Sequence, residues 1–288
     1  MVAGCDDGRI LDREQWPSRT DRGPDAMIGE FVDRAQVLCG AHDGIRSVGV
    51  SIGGPLDANR GIIHSPPNLP GWDSVPLLSI LEKRVGLPVR VDHDAAACAM
   101  AEHRWGSGDG AERLVYLTCG TGFGAGILLG GVPYYGRDGR SPEVGHVRYR
   151  DEGPVAYGKE GCFESYASGT SLRLLAAWQF PDRWGTAPPD PSEIGTLAAG
   201  GDPDAREVLF TNARAVGDAC AMVADVFVPD VIVLGSLSLY LGEDWLRCVE
   251  ARFRRQALPE YAGNCRVVPP GLGNRLQDCS ALAVAVQR

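Results

Sequence analysis

Two elements of the sequence have residue types suited to phosphoryl transfer: a carboxylate after a strand and a glycine-rich turn. Asp94 follows the apolar segment 88–91 and precedes a run of alanines, so it is expected at the start of a helix. A carboxylate in that position can accept the proton of a hydroxyl group that attacks phosphorus. Aspartate is also a preferred helix N-cap residue, and position alone favours that structural role.

The glycine-rich turn contains Gly120, Thr121, Gly122 and Gly124 and follows an apolar strand. Glycines in such a turn let backbone N–H groups approach phosphate oxygens with no side chain in the way. The structural alternative is a tight hairpin, which is the better interpretation of an isolated G-T-G-x-G sequence. Gly235 is a further glycine at a strand end, after the apolar segment 231–234.

Several acids and histidines have the chemistry to bind the hydroxyl groups of a sugar. Glu143, His146 and Glu164 can form charge-assisted hydrogen bonds that discriminate between epimers. The alternative is a purely structural role. Each of the three could form a surface salt bridge, and His146 could instead be a core histidine whose hydrogen bonds are satisfied. Asn68 lies in a proline-rich loop, where asparagine is usually a turn residue. For His93, donation to a hydroxyl group and simple packing are equally good interpretations.

Strands and helices alternate along the chain, which predicts an α/β architecture. Helices are predicted at 24–38, 74–85, 94–105, 162–178, 203–227, 243–255 and 280–286, and strands at 47–52, 88–91, 113–119, 124–129 and 231–234. Residues 180–192, rich in Pro and Asp, are predicted to be a surface loop. A small N-terminal lobe of residues 1–105, to which 276–288 returns, and a large C-terminal lobe of residues 106–275 are expected.

The composition excludes several classes of partner. A formal net charge of −9 disfavours nucleic acid and anionic lipid. The longest apolar run, 114–132, contains six glycines and predicts strand, loop and strand instead of a membrane helix. The nine cysteines form no C-x-x-C pair, which is typical of buried thiols in a reducing cytosol. No secretory leader opens the chain, and a cytoplasmic location is expected.

Four ordered stretches resemble motifs of the ROK family of bacterial sugar kinases and sugar-responsive repressors. They are S-P-P-N-L-P-G-W at 65–72, D-H-D-A-A at 92–96, L-T-C-G-T-G-F-G-A-G at 117–126, and E-V-G-H at 143–146 followed by G-C-F-E at 161–164. Each is common alone, but the ordered set is specific, and the likeness extends from about residue 5 to the C-terminus. The resemblance implies the two-lobed actin-like ATPase fold, related to ribonuclease H, of the sugar kinases.

The resemblance also assigns roles to residues. It implies that Asp94 is the catalytic base, that the turn around Thr121 is the second phosphate loop, and that Gly235 begins the adenosine-binding element. The implied sugar contacts are Asn68, His93, Glu143, His146 and Glu164. The implied reaction is the phosphorylation of a hexose such as glucose, or of an amino sugar, at its primary hydroxyl group. ATP and Mg²⁺ would be used, and a homodimer is expected.

The sequence departs from the family pattern at the zinc motif, C-x-C-G-x-x-G-C-x-E, which aligns with residues 155–164. Val155 and Tyr157 replace two of the three thiolates, which leaves His146 and Cys162. Two protein ligands cannot form the closed four-coordinate site of structural zinc. No structural zinc is therefore expected, and the replacing side chains are expected to hold the loop by packing.

Two other departures concern catalysis. Kinases of this family normally have asparagine before the catalytic aspartate, where this chain has His93. Family members also begin with an apolar strand leading into D-x-G-G-T, the first phosphate loop, whereas residues 3–11 resemble the hairpin after it. The resemblance therefore implies a first lobe without its first strand and a phosphoryl transfer weakened by the loss of one phosphate cradle.

Two other functions are compatible with the resemblance. A non-catalytic sugar-binding protein would not need the first phosphate loop, but it would not need Asp94 or the Thr121 turn either. A family repressor carries an N-terminal helix-turn-helix, whereas this chain begins within the kinase fold and is acidic. The repressor is therefore the least favoured alternative.

Overall fold

The computed structural model describes residues 1–66 and 69–287 of the chain, in which strands alternate with helices as predicted. The strands are β1 (Val2–Gly4), β2 (Ile10–Arg13), β3 (Val48–Ile52), β4 (Leu56–Asp57), β5 (Ile62–Ile63), β6 (Val75–Pro76), β7 (Val89–His93), β8 (Arg113–Leu117), β9 (Ala125–Leu129), β10 (Val132–Pro133), β11 (Val155–Ala156), β12 (Lys159–Glu160), β13 (Val231–Leu234) and β14 (Arg266–Val268). The α-helices are α1 (Gly23–Ala41), α2 (Leu77–Val85), α3 (Asp94–Trp105), α4 (Phe163–Ala167), α5 (Ser171–Gln179), α6 (Pro181–Trp184), α7 (Pro191–Ala199), α8 (Pro203–Phe227), α9 (Leu237–Tyr240), α10 (Gly242–Gln256), α11 (Pro259–Asn264) and α12 (Leu276–Ala285).

The chain divides into two compact units. The first comprises Met1–Asp109, Val132–Ser141 and Gly271–Arg288, and the second comprises Gly110–Gly131 and Pro142–Pro270. Residues 106–109, 132–141 and 271–275, which the sequence assigns to the large lobe, thus belong to the first unit. One local reason is a hydrogen bond from the amide of Ala58 to the carbonyl of Gly139, at 3.2 Å.

The first unit contains several small sheets. β3 and β7 pair in parallel, β1 and β2 pair antiparallel, and β4, β5 and β6 form a three-stranded antiparallel sheet. Helix α12 packs on β3 at Gly49, where a side chain would overlap the backbone of Ala281 and Ala285. It also packs on β1 at Gly4, against Leu282. Two glycines therefore let one helix lie directly on two separate strand pairs.

A cavity of about 920 Å³ lies between β1 and β3 in the first unit. Residues of these two strands line it, together with residues of α1 and α12. All five residues of β3 are half-buried, whereas all four residues of β13 are buried. Within the described residues, β3 pairs with no strand other than β7. The cavity therefore leaves one edge of an apolar strand without a neighbouring strand.

Glu102 is a fully buried acid in an otherwise apolar part of α3. Its carboxylate accepts hydrogen bonds from the amides of Ser107 (2.8 Å), Gly271 (2.9 Å) and Leu272 (3.1 Å). Buried polar groups need such partners, because an unpaired one costs free energy. Glu102 thus fixes the segment that follows α3. Through the same carboxylate it links that segment to the one before α12.

Replacing Glu102 by glutamine is expected to lower the free energy of unfolding by about 3 kcal/mol, because the new NH₂ group would face amide donors in a buried site. Urea denaturation measures the change. The control is Glu82→Gln on α2, where the side chain is exposed and the expected change is within about 0.5 kcal/mol. Equal stabilities of the two variants would contradict the role given to Glu102.

The second unit is built on strands in the order β9-β8-β13-β14. β8, β13 and β14 are parallel, and β9 pairs antiparallel with β8 from Arg113↔Leu129 to Leu117↔Ala125. The predicted antiparallel pair around the glycine turn is therefore confirmed. Because β13 is buried on both faces, its sequence is continuously apolar instead of alternating.

In the second unit α8 and α10 follow the predictions, whereas α6, α7, α9 and α11 were not predicted. The single helix predicted at 162–178 is wrong, because the chain leaves the helix between α4 and α5. There the amide of Gly169 donates to the carbonyl of Gly120 at 2.6 Å, a tertiary contact that the periodicity cannot reveal. The loop predicted at 180–192 contains α6 and the start of α7. Helix α8 is as predicted, and Asp202 caps it by accepting from the amide of Ala205 at 3.0 Å.

Two further features bear on the predicted environment. All nine cysteines are free thiols, and six of them are buried, so they serve as small core residues. Among the described residues, no helix combines the length and the apolar composition that crossing a bilayer needs.

Candidate functional site

Asp94 lies where β7 passes into α3, with its carboxylate accessible to solvent. The helix begins at Asp94 itself, and the N-cap position is taken by His93 in an extended conformation. The Asp94 side chain is 49% exposed, Oδ1 accepts from the amide of Ala95 at 2.7 Å, and Oδ2 faces Gly53. The N-cap interpretation of Asp94 is therefore wrong. The first turn of a helix stabilises a carboxylate in its ionised form.

Asp92, two positions before Asp94, is buried and hydrogen-bonded. The buried Asp92 carboxylate accepts from the Tyr135 hydroxyl at 2.5 Å and from the His93 amide at 2.7 Å. Burial raises the pKa of Asp92, against the opposing effect of those two hydrogen bonds. Tyr135 lies in the segment 132–141, and sequence reasoning missed it because nothing local indicates that this segment returns to β7.

Hydrogen bonds hold the turn between β8 and β9 and leave part of its backbone free. The amide of Thr118 donates to the Gly124 carbonyl at 3.0 Å, and the amide of Gly124 donates to the Thr118 hydroxyl at 2.8 Å. The amide of Gly120 donates to the Gly122 carbonyl at 3.1 Å. Within the part of the chain that the structure describes, the amides of Thr121 and Gly122 have no acceptor. Such free donors suit an anion.

Close packing fixes the shape of this turn. Gly235 lies against the carbonyl of Thr118, which a Cβ would overlap, and its amide donates to the Leu117 carbonyl at 2.7 Å. Cys119 has a left-handed φ of 42°, which is strained for a residue other than glycine. Burial raises the pKa of its thiol to about 12, so Cys119 stays protonated and acts in packing.

Glu164 is the predicted sugar contact that the structure brings to the glycine turn. Its Oε2 accepts from the amide of Phe123 at 3.0 Å. The same oxygen would lie 2.8 Å from a Cβ at Gly122, so only glycine fits there without displacing the carboxylate. One oxygen of Glu164 thus positions the turn, and Oε1 is left for another donor.

Glu143 and His146 are both exposed. Glu143 precedes the short 3₁₀ turn Val144–His146, and His146 is its last residue. This turn packs on the glycine turn, because a Cβ at Gly145 would overlap the carbonyl of Phe123. The turn that carries Glu143 and His146 therefore packs beside Phe123, whose amide Glu164 binds. His93 and Asp94 belong to the first unit, and Asn68 lies outside the described residues.

The residues of the degenerate zinc motif do not fit a structural zinc ion. Val155 and Tyr157 replace two thiolates, and the described residues contain no group of three or more His, Cys, Asp or Glu side chains that could hold a metal ion. Tyr157 packs edge-on against the His146 ring, with centroids 6.0 Å apart. Val155 and Tyr157 are both mostly exposed, so in the described residues the expected packing is limited to the contact between Tyr157 and His146.

Comparisons with known proteins agree on one family. The model of the ROK family matches residues 1–287. The glucokinase of Streptomyces coelicolor is 31% identical over 94% of this chain and 88% of that protein. The ROK hexokinase structure from Thermus thermophilus has a TM-score of 0.83 and 31% identity, and covers 97% of this chain and 92% of that chain. The structure of a ROK family glucokinase from Streptomyces griseus in complex with glucose and AMPPNP has a TM-score of 0.81 and 30% identity. It covers 99% of this chain and 94% of that chain.

Proposed function

Because the chain belongs to the ROK family, we propose that it transfers the terminal phosphoryl group of ATP to the primary hydroxyl group of a hexose or a related amino sugar. The observation that carries the proposal is the glycine turn with two free amides at Thr121 and Gly122, as a phosphate-binding loop requires. Relatives named glucokinase and hexokinase support the sugar class.

In this proposal Asp94 is the catalytic base. Its carboxylate takes the proton as the hydroxyl oxygen attacks the γ-phosphorus, the new O–P bond forms, and the bond to ADP breaks. The products are the sugar 6-phosphate and ADP. The position of Asp94 at the start of α3 supports the role, because its half-exposed carboxylate is accessible to a substrate hydroxyl group there.

The glycine turn is proposed to bind the nucleotide phosphates through Gly120, Thr121, Gly122 and Gly124, while Gly235 begins the adenosine-binding element. ATP would carry its own Mg²⁺, which neutralises phosphate charge and needs few protein ligands because it keeps several waters. The AMPPNP complex of the Streptomyces griseus relative supports the choice of nucleotide.

The sugar hydroxyl groups are proposed to contact Glu143, His146 and Glu164. Support comes from the packing of the turn Val144–His146 beside Phe123, from the hydrogen bond between Glu164 and Phe123, and from the exposure of Glu143 and His146. Asn68 and His93 stay predicted contacts, and the homodimer stays a prediction as well.

The proposed function is tested by following ADP release from ATP and Mg²⁺ with glucose and with glucosamine. We expect turnover with at least one of these sugars and none with 6-deoxyglucose, which lacks the attacking hydroxyl group. Calorimetry with sugar and with ATP separately completes the test. Sugar binding without nucleotide binding or turnover would favour the non-catalytic sugar-binding protein.

A further inference from the structure

His93 is in direct contact with the carboxylate proposed as the base. Its Nδ1 lies 3.2 Å from Asp94 Oδ1, and the two side chains are 16% and 49% exposed. Nδ1 is buried and forms no hydrogen bond in the described residues, so its contact with Asp94 is one of charge and distance. The ring packs on Gly54, where a Cβ would lie 2.9 Å from the ring atoms Cδ2 and Nε2. Contacts on both sides thus fix the imidazole beside Asp94.

Two carboxylates neighbour His93 in the chain. Asp92 precedes it and Asp94 follows it, and the positive form of His93 in turn lowers the pKa of Asp92. Strand β3 and the loop that follows it carry no charged residue. Ser51 and Ile52 of β3 pair with Asp92 and His93, the loop of Gly53 and Gly54 follows β3, and Tyr135 is a neutral donor to Asp92.

We propose that His93 is a positioning residue whose charge sets the basicity of Asp94. The inference rests on the proposed function, in which Asp94 accepts the hydroxyl proton. As an imidazolium, His93 stabilises the ionised carboxylate and so weakens it as a base. As a neutral imidazole it leaves the carboxylate a stronger base. Histidine changes charge between about pH 5 and 8, so phosphoryl transfer accelerates as the pH rises through that range.

Asparagine at position 93 provides the first test, because it is polar but cannot change charge. We measure kcat/KM for the sugar from pH 5 to 9 in the wild type, His93→Asn and His93→Gln, each relative to its own value at high pH. The wild-type value is expected to be lower below the histidine titration than above it, because the weaker base accepts the hydroxyl proton less readily. The two amide variants are expected to keep a flat profile in that range. Identical profiles in all three proteins would overturn the proposal.

NMR titration of the His93 ring provides a second test that needs no enzymatic activity. The chain has five histidines, and the His93 signals are those that His93→Asn removes. In Asp94→Asn, the titration curve of His93 is expected to move to lower pH, because the imidazolium loses its partner. An unchanged curve would overturn the inference and leave the proposed function standing. An inactive wild type would overturn the proposed function, whatever the NMR result.

Discussion

Replacing Asp94 by asparagine is expected to lower kcat of sugar phosphorylation by about a thousandfold. The amide keeps the shape of the side chain but cannot take the hydroxyl proton. The change leaves packing intact because the side chain is half exposed and forms no salt bridge with Lys or Arg in the described residues. Steady-state kinetics with sugar and ATP measures the effect, and circular dichroism checks the fold.

The control for Asp94→Asn is Asp182→Asn. Asp182 is also exposed and lies in the first turn of a helix, α6, but it has no proposed part in the chemistry. Its replacement is expected to leave kcat within about twofold, as for most surface substitutions. Sugar binding by Asp94→Asn should persist in calorimetry. Retained turnover in this variant would remove Asp94 from the mechanism.

Replacing Gly235 by alanine is expected to abolish nucleotide binding and to destabilise the second unit by about 3 kcal/mol. The added methyl group would overlap the carbonyl of Thr118 and force the end of β13 away from the end of β8. The hydrogen bonds from the amides of Gly235 and Ser236 to Leu117 and Thr118 would then stretch or break. Calorimetry with ATP and thermal unfolding measure the two effects.

Gly263→Ala is the matched control for Gly235→Ala. Gly263 is a glycine of the same unit, in α11, and a Cβ there would meet no atom within 4 Å. Alanine in a helix is favoured over glycine by about 1 kcal/mol, so this variant is expected to bind ATP normally and to unfold at the same or a higher temperature. Normal ATP affinity in Gly235→Ala would contradict the role given to the turn.

Local signals in the sequence predicted the elements that carry the site. Helix α3 begins at Asp94 and ends at Trp105 as expected, because β-branched residues stop and alanines begin at that point. The pairing of β8 with β9 followed from two apolar runs around glycines. The break between α4 and α5 was missed because it depends on the Gly169–Gly120 hydrogen bond, which joins residues distant in sequence.

The sequence offered candidate site residues but not the contacts that hold them. Glu164 was expected to bind sugar, and the structure adds its hydrogen bond to the Phe123 amide. Tyr135 and Glu102 were not predicted. Glu102 could have been found from the sequence, because it is an acid on a helix of alanines, cysteine and methionine. Tyr135 could not, because its partner Asp92 is 43 residues away.

The cavity beside β3 gives the two units different resistance to opening. Amides on an unpaired strand edge can exchange with solvent through small fluctuations, while those of the buried β13 need a far larger rearrangement. Amides at the open edge of β3 are therefore expected to exchange faster than those of β13. A single midpoint from one spectroscopic probe will not describe the whole molecule.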